Sequence, residues 1–290
     1  MRHSFEYVLV LGAVTVANLL GARSADMFAA FVGGLGFHVW RSRRRVALDN
    51  LKQAFGERYS DRQRKAIAKD VFRNLGRTMV ELARFRRLDH EAALKSLVVE
   101  GREHLEKAHR AGHGGVAITA HFGNWELLGG WVAMEGYPIN VLAYPQHNRR
   151  VNDLVNGLRR RLGMEVIPVD GANVRRVFKS LRANQFIGIV ADQHAPAQNL
   201  VLEFFGRKAA VAKGPALFAI RCGCPVLPYM MRRESHNRHV IMAGEPIYPP
   251  DGADEDTAVR EMTRAYLGFF ESVIAEYPGQ WMWTHRRWKV

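Results

Sequence analysis

The chain has 290 residues, of which 48% are apolar, so it can bury a sizeable hydrophobic core in one large domain or two small ones. Its formal net charge is +14 and its isoelectric point is about 10.2, which indicates an anionic partner: a nucleic acid, an anionic membrane surface or an acidic protein. Cys222 and Cys224 lie too close together for an unstrained disulfide, and there is no second cysteine pair to complete a zinc site. We therefore interpret both as reduced thiols in a reducing compartment, with the body of the protein in the cytosol.

Near the N-terminus there are two uncharged runs, Tyr7–Ala22 and Met27–Trp40. Each is shorter than the roughly 20 apolar residues of a spanning helix, so a secretory signal peptide and a buried core helix are alternatives to membrane association. Four arginines follow within Arg41–Arg45, and residues 1–90 contain 17 Lys and Arg against 8 Asp and Glu. A basic cluster beside an apolar run attracts anionic headgroups and marks the cytoplasmic side, although it can also be a solvated charged face. We favour a membrane-associating segment over residues 1–45.

Hydrophobic periodicity and helix caps predict the elements that follow. Ser60 and Gln63 form a capping box at the start of an amphipathic helix over 60–88, and a second helix is predicted over about 91–110. Strands are then predicted at 115–120, 140–144, 165–169, 186–191, 226–231 and 238–243, and helices at about 125–135, 148–162, 173–183, 212–222 and 254–277. Alternation of this kind is typical of βαβ units. We predict an α/β fold, with a mixed, largely parallel central sheet flanked by helices, and a single domain over 46–290.

The stretch His121-Phe-Gly-Asn-Trp-Glu126 connects the first of these strands to a helix. His121 then lies at the carboxyl end of a strand, where sites form in open α/β sheets, and Asn124 is a candidate helix N-cap. Glu126 falls in the first helical turn, so this carboxylate and His121 can form a base and its orienting partner. The alternative is structural: a packed or capping histidine, and a glutamate that the helix dipole favours.

Other polar side chains lie at the ends of the predicted elements. Asn148 begins a helix that ends in Arg159-Arg-Arg161, and the helical wheel does not choose between Arg159 and Arg161. Asp192 and Gln193 follow the strand at 186–191, where Asp192 is either a second polar site residue or a simple turn residue. The histidines are dispersed, and neither a nucleophile elbow, a phosphate loop nor a His-Glu-x-x-His motif occurs, so we predict no metal and no other cofactor.

Two adjacent aromatics, Phe204 and Phe205, precede Gly206 and a basic stretch that begins with Arg207 and Lys208. They could line a channel for an acyl chain whose charged head lies near its mouth. Alternatively, the aromatics belong to the core and the basic residues to an ordinary surface.

The His-x4-Glu stretch resembles the motif of the late lipid A acyltransferases, a branch of the His-x4-Asp/Glu membrane acyltransferases. The other blocks of that family pattern follow in order over most of the chain: Asn148 with Arg159, Asp192-Gln193, Phe204-Phe205-Gly206-Arg207 with Gly214-Pro215, and a closing segment from Tyr277 to Arg287. The closing segment is similar to the family's Trp-x-His-x-Arg signature.

The resemblance implies transfer of a fatty acyl chain from acyl carrier protein to a hydroxyl of a lipid A precursor, at the cytoplasmic face of the inner membrane. His121 would take the hydroxyl proton, Glu126 would hold the imidazole tautomer, and Arg159 would neutralise negative charge. Substrate-binding residues would be Asn124, Asn148, Asp192, Gln193, Phe204, Phe205, Gly206 and Arg207. We expect the acidic carrier protein to dock near Arg207, Lys208 and Lys213, or alternatively at Arg149 and Arg150.

Three alternatives remain. The acceptor could be another lysophospholipid or glycolipid, or the protein could hydrolyse acyl thioesters. Nucleic-acid binding is disfavoured, because the tryptophans lie mostly in apolar or motif contexts rather than interleaved with Lys and Arg.

Overall fold

The computed structural model describes residues 2–169, 171–193, 195, 200–235 and 238–288. Three helices come first: α1 (Arg2–Leu19), α2 (Ala22–Val39) and α3 (Arg41–Phe55). The first uncharged run therefore lies mostly in α1 and the second almost entirely in α2, and the arginine cluster begins α3. Within the described residues, no helix is long and apolar enough to cross a membrane. The predicted division at residue 45 falls inside α3, and it stays a prediction.

Helix α4 (Asp61–Arg84) connects these helices to the rest of the protein, and it begins with the predicted capping box of Ser60 and Gln63. It packs closely on α2 because Gly33 and Gly76 leave room for the two backbones. A Cβ atom on Gly33 would lie 2.3 Å from the Phe72 carbonyl oxygen, and one on Gly76 would lie 2.4 Å from that of Ala29. Helix α2 is thus anchored to the main body of the protein.

The centre of the fold is a sheet with helices on both faces. In the described part of the chain it has seven strands: β1 (Leu97–Val99), β2 (Gly115–Thr119), β3 (Ile139–Ala143), β4 (Met164–Pro168), β5 (Phe186–Val190), β8 (Val226–Ser235) and β9 (Arg238–Ala243). Their order is β1-β9-β8-β2-β5-β3-β4, and all neighbours are parallel except β8 and β9. The predicted mixed, largely parallel α/β fold is confirmed.

Seven further helices follow α4: α5 (His90–Ser96), α6 (Arg102–Arg110), α7 (Trp125–Met134), α8 (Arg149–Arg161), α9 (Val174–Arg182), α10 (Gly214–Cys222) and α11 (Glu255–Glu276), again counted within the described residues. The single helix predicted over 91–110 is wrong. Strand β1 and Gly101, whose φ is +72°, interrupt it. The hairpin of β6 (Leu200–Phe204) and β7 (Arg207–Val211) was not predicted.

Strand register brings the candidate site together. Strands β2 and β5 are parallel neighbours, with Thr119 opposite Val190 in the last pair. The residues two positions further along each chain, His121 and Asp192, therefore leave the sheet side by side. Successive side chains of a strand point to opposite faces of the sheet, so Phe186 and Ile187 of β5 belong to two separate buried clusters. Because the sheet is covered on both faces, its edge at the carboxyl ends of the strands is the place where polar groups can meet.

Candidate active site

His121 and Asp192 form a tight polar pair at the carboxyl ends of β2 and β5. The imidazole Nδ1 lies 2.7 Å from Asp192 Oδ1, and the backbone N–H of His121 donates to Asp192 Oδ2 over 2.9 Å. The Trp281 indole Nε1 donates to the same Oδ2 over 2.7 Å. Asp192 thus accepts three hydrogen bonds and is 2% exposed, so its orientation is fully determined.

Burial on its own would raise the pKa of Asp192. The charge and hydrogen bonds of His121, with the Trp281 hydrogen bond, outweigh this effect, so the pKa of Asp192 lies below its usual value. An ionised carboxylate beside Nδ1 keeps the ring proton on that nitrogen. Nε2 then carries the lone pair that a general base needs.

The imidazole is partly accessible, with 21% of its side chain exposed. The Trp125 ring meets it edge to face, with a centroid distance of 5.1 Å. Gln193 Nε2 lies 3.4 Å from each ring nitrogen of His121, which is long for a hydrogen bond. Three of the predicted site residues, His121, Asp192 and Gln193, therefore lie together in the structure.

Glu126 pairs with Arg159 instead of with His121. Arg159 Nε and Nη2 donate to the two carboxylate oxygens of Glu126 over 2.9 and 2.6 Å, and Nη1 donates to Asn156 Oδ1 over 3.2 Å. Burial would lower the pKa of Arg159, but the hydrogen bonds and charge of Glu126 raise it. The structure also distinguishes Arg159 from Arg161, because Arg161 is exposed.

The hypothesis that Glu126 holds the imidazole is therefore corrected: Asp192 occupies that position. The physical reason is direction. His121 leaves β2 towards β5, whereas Glu126 is the second residue of α7 and its carboxylate faces Arg159 on α8. Catalytic roles for Glu126 and Arg159 remain predictions.

The turn between β2 and α7 has a tightly specified backbone. Gly123 adopts φ +53°, and a Cβ atom there would lie 1.7 Å from the Met231 carbonyl oxygen, so only glycine fits. Asn124 is the N-cap of α7, as predicted, because its Oδ1 accepts from the Leu127 N–H over 3.0 Å. Its own role in binding a substrate remains a prediction.

Asn148 links α8 to α1. Its Oδ1 accepts from the Arg150 N–H, and its Nδ2 donates to the His3 carbonyl and to Glu6 Oε2 over 2.8 and 3.0 Å. Among the described residues, ligand atoms of His3, Glu6 and His147 lie within 4.8 Å of one another, in a group that is mostly exposed. The predicted contact of Asn148 with a substrate is not tested by this geometry.

The predicted channel residues Phe204 to Arg207 form the tip of the β6–β7 hairpin. Phe204 is fully buried in the core against Trp281, with a centroid distance of 5.6 Å, which matches the alternative core interpretation. Phe205 is the first turn residue, at φ +53°, and packs on Phe55. Gly206 and Arg207 are exposed. Their roles in binding an acyl chain stay predictions.

No role was predicted for Trp281 or Arg287 in the closing segment. Trp281 contacts Asp192 directly, and Arg287 is 1% exposed, with its guanidinium 5.1 Å from the centre of the Phe204 ring. The signal was the recurrence of tryptophan at positions 281, 283 and 288 beside basic residues, but spacing alone cannot show that this segment returns to the sheet edge.

Comparison with known proteins finds acyltransferases both as the matching family and as the relatives. The family model described as "Bacterial lipid A biosynthesis acyltransferase" matches residues 1–290. A phosphatidylinositol mannoside acyltransferase of Mycobacterium tuberculosis is 26% identical over 73% of this chain and 67% of its own length. A lipid A biosynthesis palmitoleoyltransferase and a lauroyltransferase of Escherichia coli are 24% and 23% identical, each over 89% of this chain and 83% of its own.

Proposed function

The chain belongs to the bacterial lipid A biosynthesis acyltransferase family, and from this premise we propose that it moves a fatty acyl chain from acyl carrier protein to a hydroxyl of a lipid A precursor. The observation that carries the proposal is the hydrogen-bonded pair of His121 and Asp192 at the sheet edge. A hydroxyl is a poor nucleophile near neutral pH, so its attack on a thioester needs a base of this kind.

The proposed reaction is a direct transfer. His121 Nε2 removes the proton as the hydroxyl oxygen attacks the thioester carbonyl carbon, and a carbon–oxygen bond replaces the carbon–sulfur bond. The leaving thiolate takes the proton back from the imidazolium. Asp192 fixes the starting tautomer and stabilises the imidazolium while the charge develops. The hydrogen bond between His121 and Asp192 supports the proton transfer in these steps, and none of the steps requires an acyl-enzyme.

Arg159 is proposed to balance negative charge next to the base. A guanidinium has five N–H groups, and three of them are engaged by Glu126 and Asn156 in the described structure. Two remain to face an anionic substrate group or the thioester oxygen as it gains charge. Glu126 would then orient the guanidinium and tie α7 to α8, a supporting role one step removed from the reacting atoms.

We further propose that α1, α2 and the start of α3 attach the enzyme to the cytoplasmic face of the inner membrane. On α2, Met27, Phe31 and Leu35 recur every four residues and are 72%, 69% and 52% exposed, so they form one apolar row. The arginines of Arg41–Arg45 follow directly, and each basic residue near an anionic surface adds about 1 kcal/mol of attraction. A helix lying in the interface fits these features.

Vesicle flotation tests this attachment. Phe31→Ser with Leu35→Ser should reduce binding to anionic vesicles at least tenfold, while Tyr248→Ser, at an apolar side chain that is 59% exposed elsewhere, should bind like wild type. Equal binding by all three proteins, or a wild-type chain that ignores vesicles, contradicts the proposal.

A phosphorylated glycolipid of the phosphatidylinositol mannoside type is the second candidate acceptor, because a relative with that name covers 73% of the chain. The donor and acceptor are identified together. Purified full-length protein is incubated with acyl carrier protein or coenzyme A thioesters and with each lipid, and the products are analysed by mass spectrometry. Acylated lipid A precursor from wild type but not from His121→Ala supports the proposal. Free fatty acid as the main product, or acylation of only the inositol lipid, contradicts it.

A further inference from the structure

The catalytic turn is held from behind by buried polar groups that play no part in the reaction described above. The Gly123 carbonyl accepts from Asn74 Nδ2 over 3.1 Å and from Thr78 Oγ1 over 2.7 Å, both on α4. The Gly123 N–H donates to the Gln280 carbonyl over 3.0 Å. Asn74 and Thr78 are 5% and 0% exposed, so these bonds are protected from water.

Arg233 on β8 ties these groups together. Its Nε donates to Asn74 Oδ1 over 3.2 Å, its Nη2 lies 3.4 Å from Thr78 Oγ1, and its Nη1 donates to Glu81 Oε1. The Gln280 side chain bonds both the N–H and the carbonyl of Arg233, each over 2.8 Å. Each of the three guanidinium nitrogens therefore contacts a side chain that bonds to the turn or lies beside it.

Glu81 completes the network on the other side. Its Oε2 accepts from Asn124 Nδ2, so one carboxylate connects Arg233 to the N-cap of α7. Burial would raise the pKa of Glu81, but the charge of Arg233 and a hydrogen bond from His239 lower it to about 2. Arg233 Nη1 also lies 3.0 Å from His239 Nε2, and the same ring nitrogen lies 3.6 Å from Glu81 Oε2.

A buried ion pair is weak support for stability, since well-packed apolar residues of similar volume often serve as well. This pair differs from other ion pairs in what it contacts. Glu81 accepts directly from Asn124, and Arg233 donates to Asn74, which in turn donates to the Gly123 carbonyl. Gly123 and Asn124 are the second and third residues after His121. We propose that Glu81 and Arg233 are positioning residues that fix the turn of residues 121–124, so that the imidazole meets Asp192 and presents Nε2 to the substrate. This inference rests on the proposed role of His121 as the base.

The decisive variant is Glu81→Gln. The glutamine oxygen can still accept from Arg233, but its NH2 group then faces the NH2 group of Asn124, and two donors repel. We expect kcat to fall about 10- to 100-fold, the usual cost of a small misplacement of a catalytic group, while the KM for the acyl donor changes less than about twofold. A polarity swap should give a higher kcat than Asn124→Asp alone, and any substrate contact of Asn124 cancels because both proteins carry the same change there. In Glu81→Gln with Asn124→Asp, the glutamine NH2 donates to the aspartate, which also caps helices well.

Arg77→Gln is the matched control. Arg77 lies on the same helix and forms an ion pair with Asp26 over 2.7 Å, away from the turn. Thermal unfolding of each variant gives the loss of stability, against which the kcat values are compared. The inference requires that Glu81→Gln loses at least tenfold in kcat while Arg77→Gln stays within about twofold of wild type. It is overturned if kcat follows stability in both variants, or if Glu81→Gln is fully active.

The kcat of the swapped pair and the NMR signal of the His121 ring provide two further tests. If Glu81→Gln does not fold, the swapped pair is compared with Asn124→Asp alone; a kcat at least tenfold higher in the swapped pair supports the inference, and equal kcat values overturn it. Nitrogen-15 NMR of the His121 ring, assigned by subtracting the His121→Ala spectrum, needs no activity. The signal of Nδ1–H bonded to Asp192 should be altered in Glu81→Gln and unchanged in Arg77→Gln. If the wild-type protein transfers no acyl group, the proposed function is wrong. If the wild-type protein is active but Glu81→Gln and Arg77→Gln have the same kcat and the same NMR signal, the positioning role is wrong.

Discussion

Replacing Asp192 with asparagine removes one charge and turns one acceptor oxygen into an NH2 donor. The structure determines how the amide must sit. Two N–H groups, from the His121 backbone and the Trp281 indole, meet at the Oδ2 position, whereas only Nδ1 of the imidazole faces Oδ1. The amide oxygen therefore occupies the Oδ2 position, and its NH2 group faces Nδ1. His121 must then accept through Nδ1 and hold its proton on Nε2, which is the wrong tautomer for a base.

The expected loss of kcat in Asp192→Asn follows from the free energy of the other orientation of the new amide. Turning the amide to restore the correct tautomer would place its NH2 group against two buried N–H donors. Each unsatisfied buried donor costs about 1–3 kcal/mol, so the active arrangement lies about 2–6 kcal/mol above the ground state. That corresponds to a loss of roughly 30-fold to 10⁴-fold in kcat. Loss of the negative charge that stabilises the imidazolium favours the upper end, near the roughly 10⁴-fold loss known for the acid of a Ser-His-Asp triad.

The assay is acyl transfer at saturating donor and acceptor, with thermal unfolding to show that the variant is folded. Nitrogen-15 NMR of the ring supplies a second, activity-independent result, since it distinguishes Nδ1–H from Nε2–H. We expect low kcat together with the Nε2–H tautomer. A folded Asp192→Asn variant within tenfold of wild-type kcat, or with an unchanged tautomer, refutes the assignment of Asp192 as the partner of His121.

Four further outcomes are expected. His121→Ala should lower kcat about 10²- to 10⁴-fold with thermal stability close to wild type, and a loss below tenfold removes it from the mechanism. Glu126→Gln should lower thermal stability, since it unbalances a buried pair, yet lose less kcat than Asp192→Asn; the reverse order contradicts the site geometry. Reversing Arg207 and Lys208 to Glu should raise the KM for acyl carrier protein more than it lowers kcat, less so at high salt, and should spare a coenzyme A thioester; equal impairment of that small donor contradicts docking there. Because the folded pKa of Glu81 is about 2 against an ordinary 4.5, its contribution is complete above 4.5 and is lost as pH falls towards 2. Glu81→Gln should therefore shrink the difference in unfolding free energy between about pH 6 and pH 3 by about 2 kcal/mol, as measured by urea titration, and an unchanged difference argues against the ionised pair.

The alternating pattern predicted the central strands and helices because each buried strand is a short apolar run between turn residues. It failed at β1, which has only three residues and interrupts what otherwise reads as one amphipathic helix. The pattern also failed to predict the β6–β7 hairpin, although the residues of Leu200–Phe204 alternate between buried and exposed positions in the structure. There the Phe-Phe-Gly-Arg block was interpreted as a binding segment rather than as a turn.

Strand order explains why the site was predicted only in part. His121 and Asp192 were each identified from a position at a strand end, but their pairing depends on β2 and β5 being neighbours although 71 residues separate the two side chains. Local spacing instead favoured Glu126, five residues from His121. The contacts of Trp281 and of the Glu81–Arg233 pair are longer in range still, and periodicity carries no information about them.

The central claim, direct transfer by a base rather than through an acyl-enzyme, is tested most directly by measuring free thiol release from the acyl thioester donor with and without the acceptor lipid. Wild-type protein should release thiol only when the acceptor is present, with one thiol for each acylated lipid molecule, and His121→Ala should release almost none. A burst of thiol equal to the enzyme concentration in the absence of acceptor would reveal an acyl-enzyme. Continued release with free fatty acid as the product would show a hydrolase, and either result contradicts the account.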